Sequence, residues 1–227
     1  MGHVIFCIGL TADFRKSPFE TIEAHVQVLA NVLKRAQFDS FLYLSSTRVY
    51  EGASSTKEET PLVVNPFNLN HIFNLSKLAG EALCLSLNSP KIKIVRVSNV
   101  LGDDFKSENF VFSVMKELIQ TAQVILKTTP SSAKDYILID DVVEMLPIIA
   151  VRGQSRVYNL ARGKNITNEE VLKKLTGAKV SYARDASEII FPEIAVTKLK
   201  EEFNFAPGDP LKEIEAIYSR FRKYLSA

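Results

Sequence analysis

The 227-residue chain has no tryptophan, two cysteines and three histidines. No apolar run approaches the ~20 residues that a bilayer crossing needs, so no membrane span is expected. Cys7 and Cys84 lie far apart in apolar stretches and form no Cys-x-x-Cys pair. They read as buried free thiols in a reducing cytoplasm. His3, His25 and His71 share no metal-ligand spacing with them, so no metal centre is expected. No charged, then apolar, leader opens the chain, so no signal peptide is expected. Lysine and arginine total 28 against 26 acidic residues, a formal net charge of +2. With no basic run, a nucleic-acid partner is not expected. None of the nine glycines forms the Gly-x-x-Gly-x-x-Gly turn that holds a dinucleotide pyrophosphate.

What is present is ordinary for a globular protein: 46% hydrophobic and 24% charged residues. The length suits one large domain or two small ones. "HVIFCIGL" (3–10) and "SFLYLSS" (40–46) are apolar enough for strands buried on both faces, and "KIKIVRVSNV" (91–100) reads as a third strand. Between the first two strands, Ser17, Pro18 and Glu20 predict a capped helix start, and Ile22, Val26, Leu29 and Leu33 its core face. Residues 51–66 read as a loop, and a helix of about 20 residues follows, ending before Pro90. This strand–helix alternation predicts a parallel sheet with helical crossovers.

Later elements are shorter. Phe110 to Thr121 reads as helix and "QVILK" (123–127) as strand. "KDYILIDDVVEMLPIIAV" reads as a strand and then a helix capped at Asp140 or Asp141, with Pro147 expected to bend it. "SRVYNLA" reads as strand. Thr167 and Glu170 form a capping box, with Gly177 just past that helix. The last helix is capped by Asp209, entered by Pro210, and striped by Leu211, Ile214, Ile217 and Phe221.

On a wheel, the helix from about 66 to 89 puts Ile72, Leu75, Ala79, Ala82 and Leu83 on one face, the predicted core stripe. Phe73, Lys77, Gly80 and Cys84 form a second stripe, with Phe73 and Lys77 one turn apart and Gly80 leaving room for a close approach. Ser45 and Ser46 end the second strand, and Ser98 and Asn99 end the third. Ligands of open α/β sheets sit outside such carboxyl ends.

These stretches, in this order, resemble the extended short-chain dehydrogenase/reductases, the NAD-dependent nucleotide-sugar epimerase/dehydratase family. "HVIFCIGLTAD" is similar to that family's fourth strand and the segment along the dinucleotide. "YLSSTRVYEG" is similar to its serine-bearing strand end, with Ser46 four residues before Tyr50. "FNLSKLAGE" resembles its Tyr-x-x-x-Lys helix, "VRVSNVLG" the motif whose asparagine faces substrate, and "KDYILIDDVVE" its Arg-Asp-Tyr motif. "RVYNLARGKNIT" resembles its late Tyr-Asn segment. The resemblance implies NAD or NADP along Cys7, Ile8, Gly9 and Lys77, and a nucleotide sugar at Ser46, Asn99 and Lys134. It implies catalysis by Ser46, Lys77 and a tyrosine at the position of Phe73. In the family that tyrosine exchanges a proton with the substrate hydroxyl during hydride transfer, and the lysine lowers its pKa.

The chain departs from the family pattern in several ways. Phe73 has no proton to exchange; Tyr50, His71 or a water would have to substitute, and His71 falls on a different helical face from Lys77. The glycine-rich half is missing, so three strands are expected to be absent and the first strand to carry an exposed apolar edge. Lys134 stands for an arginine that contacts the diphosphate, keeping the charge without the fork. Thr47 and Arg48 stand where 4,6-dehydratases carry Asp-Glu, which favours an epimerase or reductase ancestry. The expected fold is α/β: a Rossmann-like parallel sheet lacking its first three strands (1–104), then a mixed remainder with a smaller C-terminal substrate region (105–227). The expected function is a catalytically impaired NAD(P)-dependent nucleotide-sugar enzyme of polysaccharide precursor synthesis, or a non-catalytic sugar-nucleotide-binding or regulatory module. A homodimer through helices near 18–37 and 67–88 is implied by the resemblance alone.

Overall fold

The computed structural model describes residues 2–10, 13–175 and 179–226. β1 (His3–Phe6), β2 (Ser40–Ser46), β3 (Ile92–Val97) and β7 (Val157–Leu160) form one parallel sheet in the order β1-β2-β3-β7. Every residue of β3 is buried, Lys93 and Arg96 included, which explains why the rest of the strand is apolar. α5 (Ile139–Arg152) covers one face through Met145, Leu146 and Ile149 against Leu42, Val95 and Tyr158. α2 (Val28–Arg35) and α3 (His71–Ser86) cover the other, where Leu29 and Cys84 meet Phe41, Tyr43 and Ile94. Among the described residues β1 pairs on one side only, and Ile5 and Ile8 are exposed. This matches the expected apolar edge.

The predicted strand 91–100 is two strands. It breaks at Ser98, and β4 (Asn99–Leu101) joins β6 (Ala133–Leu138) and β8 (Asn165–Thr167) in a separate mixed sheet. α4 (Phe110–Thr121) and α8 (Pro210–Leu225) pack together in the second lobe through Phe112, Met115, Ile217 and Phe221. α8 starts as predicted, with Asp209 accepting from Leu211 N–H. β5 (Gln123–Thr128) pairs in parallel with β9 (Lys179–Ser187), a strand with no apolar run to announce it. α7 (Thr197–Phe203) was likewise unpredicted.

Capping went both ways. α6 (Asn168–Lys173) has the predicted box, with Thr167 and Glu170 satisfying each other's backbone N–H; Gly177 lies outside the described residues. α1 (Pro18–Ile22) has no side-chain cap; the Ser17 carbonyl accepts from the Thr21 hydroxyl. α5 is preceded by Leu138 rather than an aspartate cap, since Asp141 Oδ2 accepts from Gly208 N–H, and the helix runs unbroken through Pro147.

The largest corrections concern helix faces. A π turn, Glu23–Gln27, joins α1 to α2, and Val28 N–H reaches back to the Glu23 carbonyl. Its extra residue shifts the phase, so Thr21, Ala24, His25 and Leu29 are buried while Ile22, Val26 and Leu33 are half-buried. On α3 the predicted core stripe is the outer face: Ala79 and Ala82 are exposed, and Ile72, Leu75 and Leu83 half-buried. The buried face is the stripe of Phe73, Lys77, Gly80 and Cys84, widened by His71, Asn74, Ser76 and Glu81. Gly80 does leave room: a Cβ there would collide with the Tyr43 hydroxyl and sit 3.1 Å from the His25 carbonyl. Cys84 is buried, but Cys7 is exposed, because it lies past the last paired residue of an edge strand. Among the described residues no helix is long and apolar enough to cross a membrane, and no group of three acidic, histidine or cysteine side chains is placed to hold a metal.

Candidate functional site

The carboxyl ends of β1 and β2 meet the middle of α3. Phe73 and Lys77 stack one turn apart there and are both buried. Lys77 Nζ donates to the Leu44 carbonyl of β2 at 3.0 Å. The same ammonium lies 5.9 Å from the Phe73 ring centre and 5.3 Å from that of Tyr43. Burial, against the charge of Glu81, pulls Lys77 down to about 8. Gly9 borders this group: a Cβ on it would lie 2.8 Å from His25 Nε2 and 3.3 Å from Lys77 Nζ. Cys7, Ile8 and Gly9 are exposed, so their backbone is open beside Lys77. Burial raises the Cys7 thiol, although the Lys77 charge opposes it.

The π turn aims His25 at the same spot. Leu10 N–H donates to Nε2 at 3.1 Å, so Nδ1 carries the proton and donates to Ser76 Oγ at 2.8 Å. Ser76 in turn donates to the Phe73 carbonyl at 2.8 Å. This chain of bonds fixes a neutral imidazole, which burial and then the Lys77 charge push down to about 4. The His25 ring meets Phe73 edge-on at 5.5 Å. Neither His25 nor Phe14, whose ring lies 5.4 Å from Phe73, carries a local sequence signal for this place. The π turn and the tertiary fold bring them there.

Ser46 ends β2, and its hydroxyl accepts from Arg48 N–H at 3.2 Å, capping the 3₁₀ turn Thr47–Tyr50. That turn lifts Arg48 so that its Cζ lies 5.0 Å from the Phe14 ring centre and 5.8 Å from that of Phe73. Lys134 is half-buried on β6; burial lowers its pKa, and the Arg48 charge lowers it further. Asn99 is exposed, with Nδ2 donating to the Asp135 carbonyl at 2.8 Å. Gly9, Phe73 and Lys77 are therefore in one cluster, Arg48 joins Ser46 to it, and Asn99 is engaged with β6. Neither side chain expected to stand in for a phenol is free. Tyr50 is buried and donates to Asn159 Oδ1 at 2.8 Å, and His71 Nδ1 accepts from Asn65 N–H at 2.8 Å.

A buried network supports the cluster from beneath. Arg96 on β3 grips Glu81 of α3 through Nε and Nη2, at 3.0 and 2.6 Å, and Ser45 donates to the same carboxylate at 2.5 Å. Arg96 Nη1 also donates to the Tyr50 hydroxyl at 2.7 Å and the Glu58 carbonyl at 3.0 Å, tying the loop after the 3₁₀ turn to the sheet.

Solved structures share this arrangement of elements. RMD from Pseudomonas aeruginosa, complexed with NADPH, is 19% identical with a TM-score of 0.80, covering 97% of this chain and 82% of its own. UDP-glucuronic acid 4-epimerase from Bacillus cereus, complexed with UDP-glucuronic acid and NAD, is 17% identical with a TM-score of 0.79, covering 98% and 76%. In sequence, a dTDP-D-glucose 4,6-dehydratase of Dictyostelium discoideum is 24% identical over 164 residues, 67% of this chain. The chain spans 38% of the length of that curated relative. The family model for NAD-dependent epimerases and dehydratases matches residues 2–161, well over half of the sequence, and the chain belongs to that family.

Proposed function

We propose that the chain binds a nucleotide sugar at the carboxyl ends of β1 and β2, and that its catalysis is impaired. The observation that carries this is Phe73. A ring without a hydroxyl fills the position one turn before a buried lysine, packed by Phe14 and His25. Ser46 is the hydrogen-bonding group for a substrate oxygen. Lys134 is the cation for the diphosphate, and Asn99 is the exposed amide beside the sugar.

The residues present fit the nicotinamide-ribose end of NAD or NADP. The exposed backbone of Cys7, Ile8 and Gly9 runs past Lys77, and Gly9 has no side chain to block that approach. When bound, the cofactor supplies hydride exchange with the sugar. Lys77 then holds the ribose hydroxyls, a role that needs no phenol. Thr47 and Arg48 in place of an acidic pair leave no carboxylic acid and base for elimination at that turn, which favours an epimerase or reductase ancestry. Two unpaired thiols fit a cytoplasmic setting, and we assign the chain to polysaccharide precursor supply there.

Calorimetric titration with NAD⁺ and, in parallel, a UDP-sugar tests the proposal. A saturating isotherm with the UDP-sugar is expected. Micromolar NAD⁺ binding as well favours an enzyme with a local defect, and sugar binding alone favours the binding module. Binding of neither removes the proposal.

The outer face of α3 supports a homodimer. Ile72, Leu75 and Leu83 keep part of their apolar surface in solvent, as Val28 and Val32 of α2 do. Sedimentation equilibrium should give twice the chain mass of 25.4 kDa, and Leu75→Glu should return it to one. A concentration-independent monomer would rule the dimer out.

A further inference from the structure

Arg48 is poorly served by the protein. Its Nε is fully buried and has no hydrogen-bond partner. Glu51 Oε2 lies 3.9 Å from that nitrogen, beyond hydrogen-bond range, and is as far from His71 Nε2. Asn74 Nδ2 also approaches the Glu51 carboxylate, at 3.4 Å. About a third of the Arg48 side chain, 32%, reaches solvent. Burial lowers the Arg48 pKa, the Glu51 charge opposes that, and the neighbouring Arg15 charge lowers it further. A cation held this way is costly unless something pairs with it.

The geometry gives the chemistry of a closer partner than Glu51. The guanidinium lies against two ring faces, Phe14 at 5.0 Å and Phe73 at 5.8 Å. Part of the side chain stays open to solvent, and a planar carboxylate can take two parallel bonds from a guanidinium fork. A neutral hexose offers only hydroxyls, which match the fork poorly. Arg48 also sits at the Phe73 end of the site, two residues past Ser46, where the proposed function puts the sugar ring. Lys134 lies close enough for its ammonium to feel the Arg48 charge, so a second cation borders the same space.

We propose that Arg48 is a specificity residue that selects a nucleotide sugar carrying a carboxylate on the sugar, a hexuronic acid. This rests on the nucleotide-sugar reading of the site. The diphosphate is the other anion such a ligand brings, so the test separates the two.

Calorimetry with UDP-glucuronic acid, UDP-glucose and UDP is run on the native chain, Arg48→Gln and Arg48→Lys, with thermal melts to establish that each variant is folded. The native chain should bind UDP-glucuronic acid about 10-fold or more tighter than UDP-glucose, the scale of one charge-assisted hydrogen-bond pair. Arg48→Gln should abolish that gap and leave UDP unchanged, and Arg48→Lys should keep part of it. Equal affinity for the two sugars in the native chain overturns the inference alone. So does an Arg48→Gln loss as large for UDP as for UDP-glucuronic acid, which would assign the fork to the diphosphate. Failure of all three ligands to bind overturns the nucleotide-sugar reading and this inference with it.

Discussion

Phe73→Tyr is expected to raise NAD⁺-dependent turnover of a bound nucleotide sugar by about 10²–10⁴-fold, the usual contribution of a positioned acid or base. The substitution adds one oxygen at a ring already bordered by Lys77, whose Nζ lies 5.9 Å from the ring centre. A second readout does not depend on turnover. Lys77 favours the phenolate, so the phenol of Phe73→Tyr should titrate lower, by its ultraviolet difference spectrum, than the phenol of Phe73→Tyr/Lys77→Met. The two groups titrate as a pair, because burial already holds Lys77 at about 8. If both ligands bind and turnover stays flat in the tyrosine variant, the enzyme reading fails and the binding module stands.

Arg96→Met is expected to cost about 3–5 kcal/mol of folding stability, read from urea denaturation, because it strands a buried carboxylate. The side chains of Arg96 and Glu81 are only 5% and 3% exposed, and they meet at 2.6 Å. The bond to Glu81 and its charge raise the Arg96 pKa even though burial opposes them. Removing both charges, in Glu81→Met/Arg96→Met, should recover part of the loss, since no unpaired ion remains. A loss below about 1 kcal/mol in the single variant would mean that the pair is hydrated or dispensable. The network also matters for the site: Arg96 holds the Tyr50 hydroxyl and the Glu58 carbonyl, so its loss should loosen the turn that presents Arg48.

The parallel sheet was legible because β2 is a nearly continuous apolar run and β3 is mostly apolar between its two cations, a composition that a strand buried on both faces needs. β9 was not legible. Its residues are mostly exposed, and its place comes from pairing with β5, a long-range contact that leaves no local pattern. α3 failed in a more informative way. A hydrophobic wheel assumes that the core face is the apolar one, yet α3 buries a lysine, a glutamate, an asparagine and a histidine and leaves its alanines outside. The site is the reason, since the helix turns its polar side chains inward to meet Leu44, Ser45, Arg96 and Asn65. Ser46, Phe73 and Lys77 could be named from the motif's spacing, and Gly9 from its place after the first strand. Arg48 was visible only as a departure from the motif, because its neighbours Phe14 and Phe73 come from distant parts of the chain.

The π turn holds one residue more than an α-helical turn would. Deleting one residue between 23 and 27 would let the hydrogen-bond ladder close up into a regular α-helix, and the residues on either side would keep their faces, because the wide turn covers with five residues about the rotation that four α-helical ones make. Leu29 would keep its place in the core. Deleting His25 itself would mend the ladder while removing the imidazole that ties Leu10 to Ser76. A relative that lacks both the extra residue and the histidine must secure its first strand end by other means.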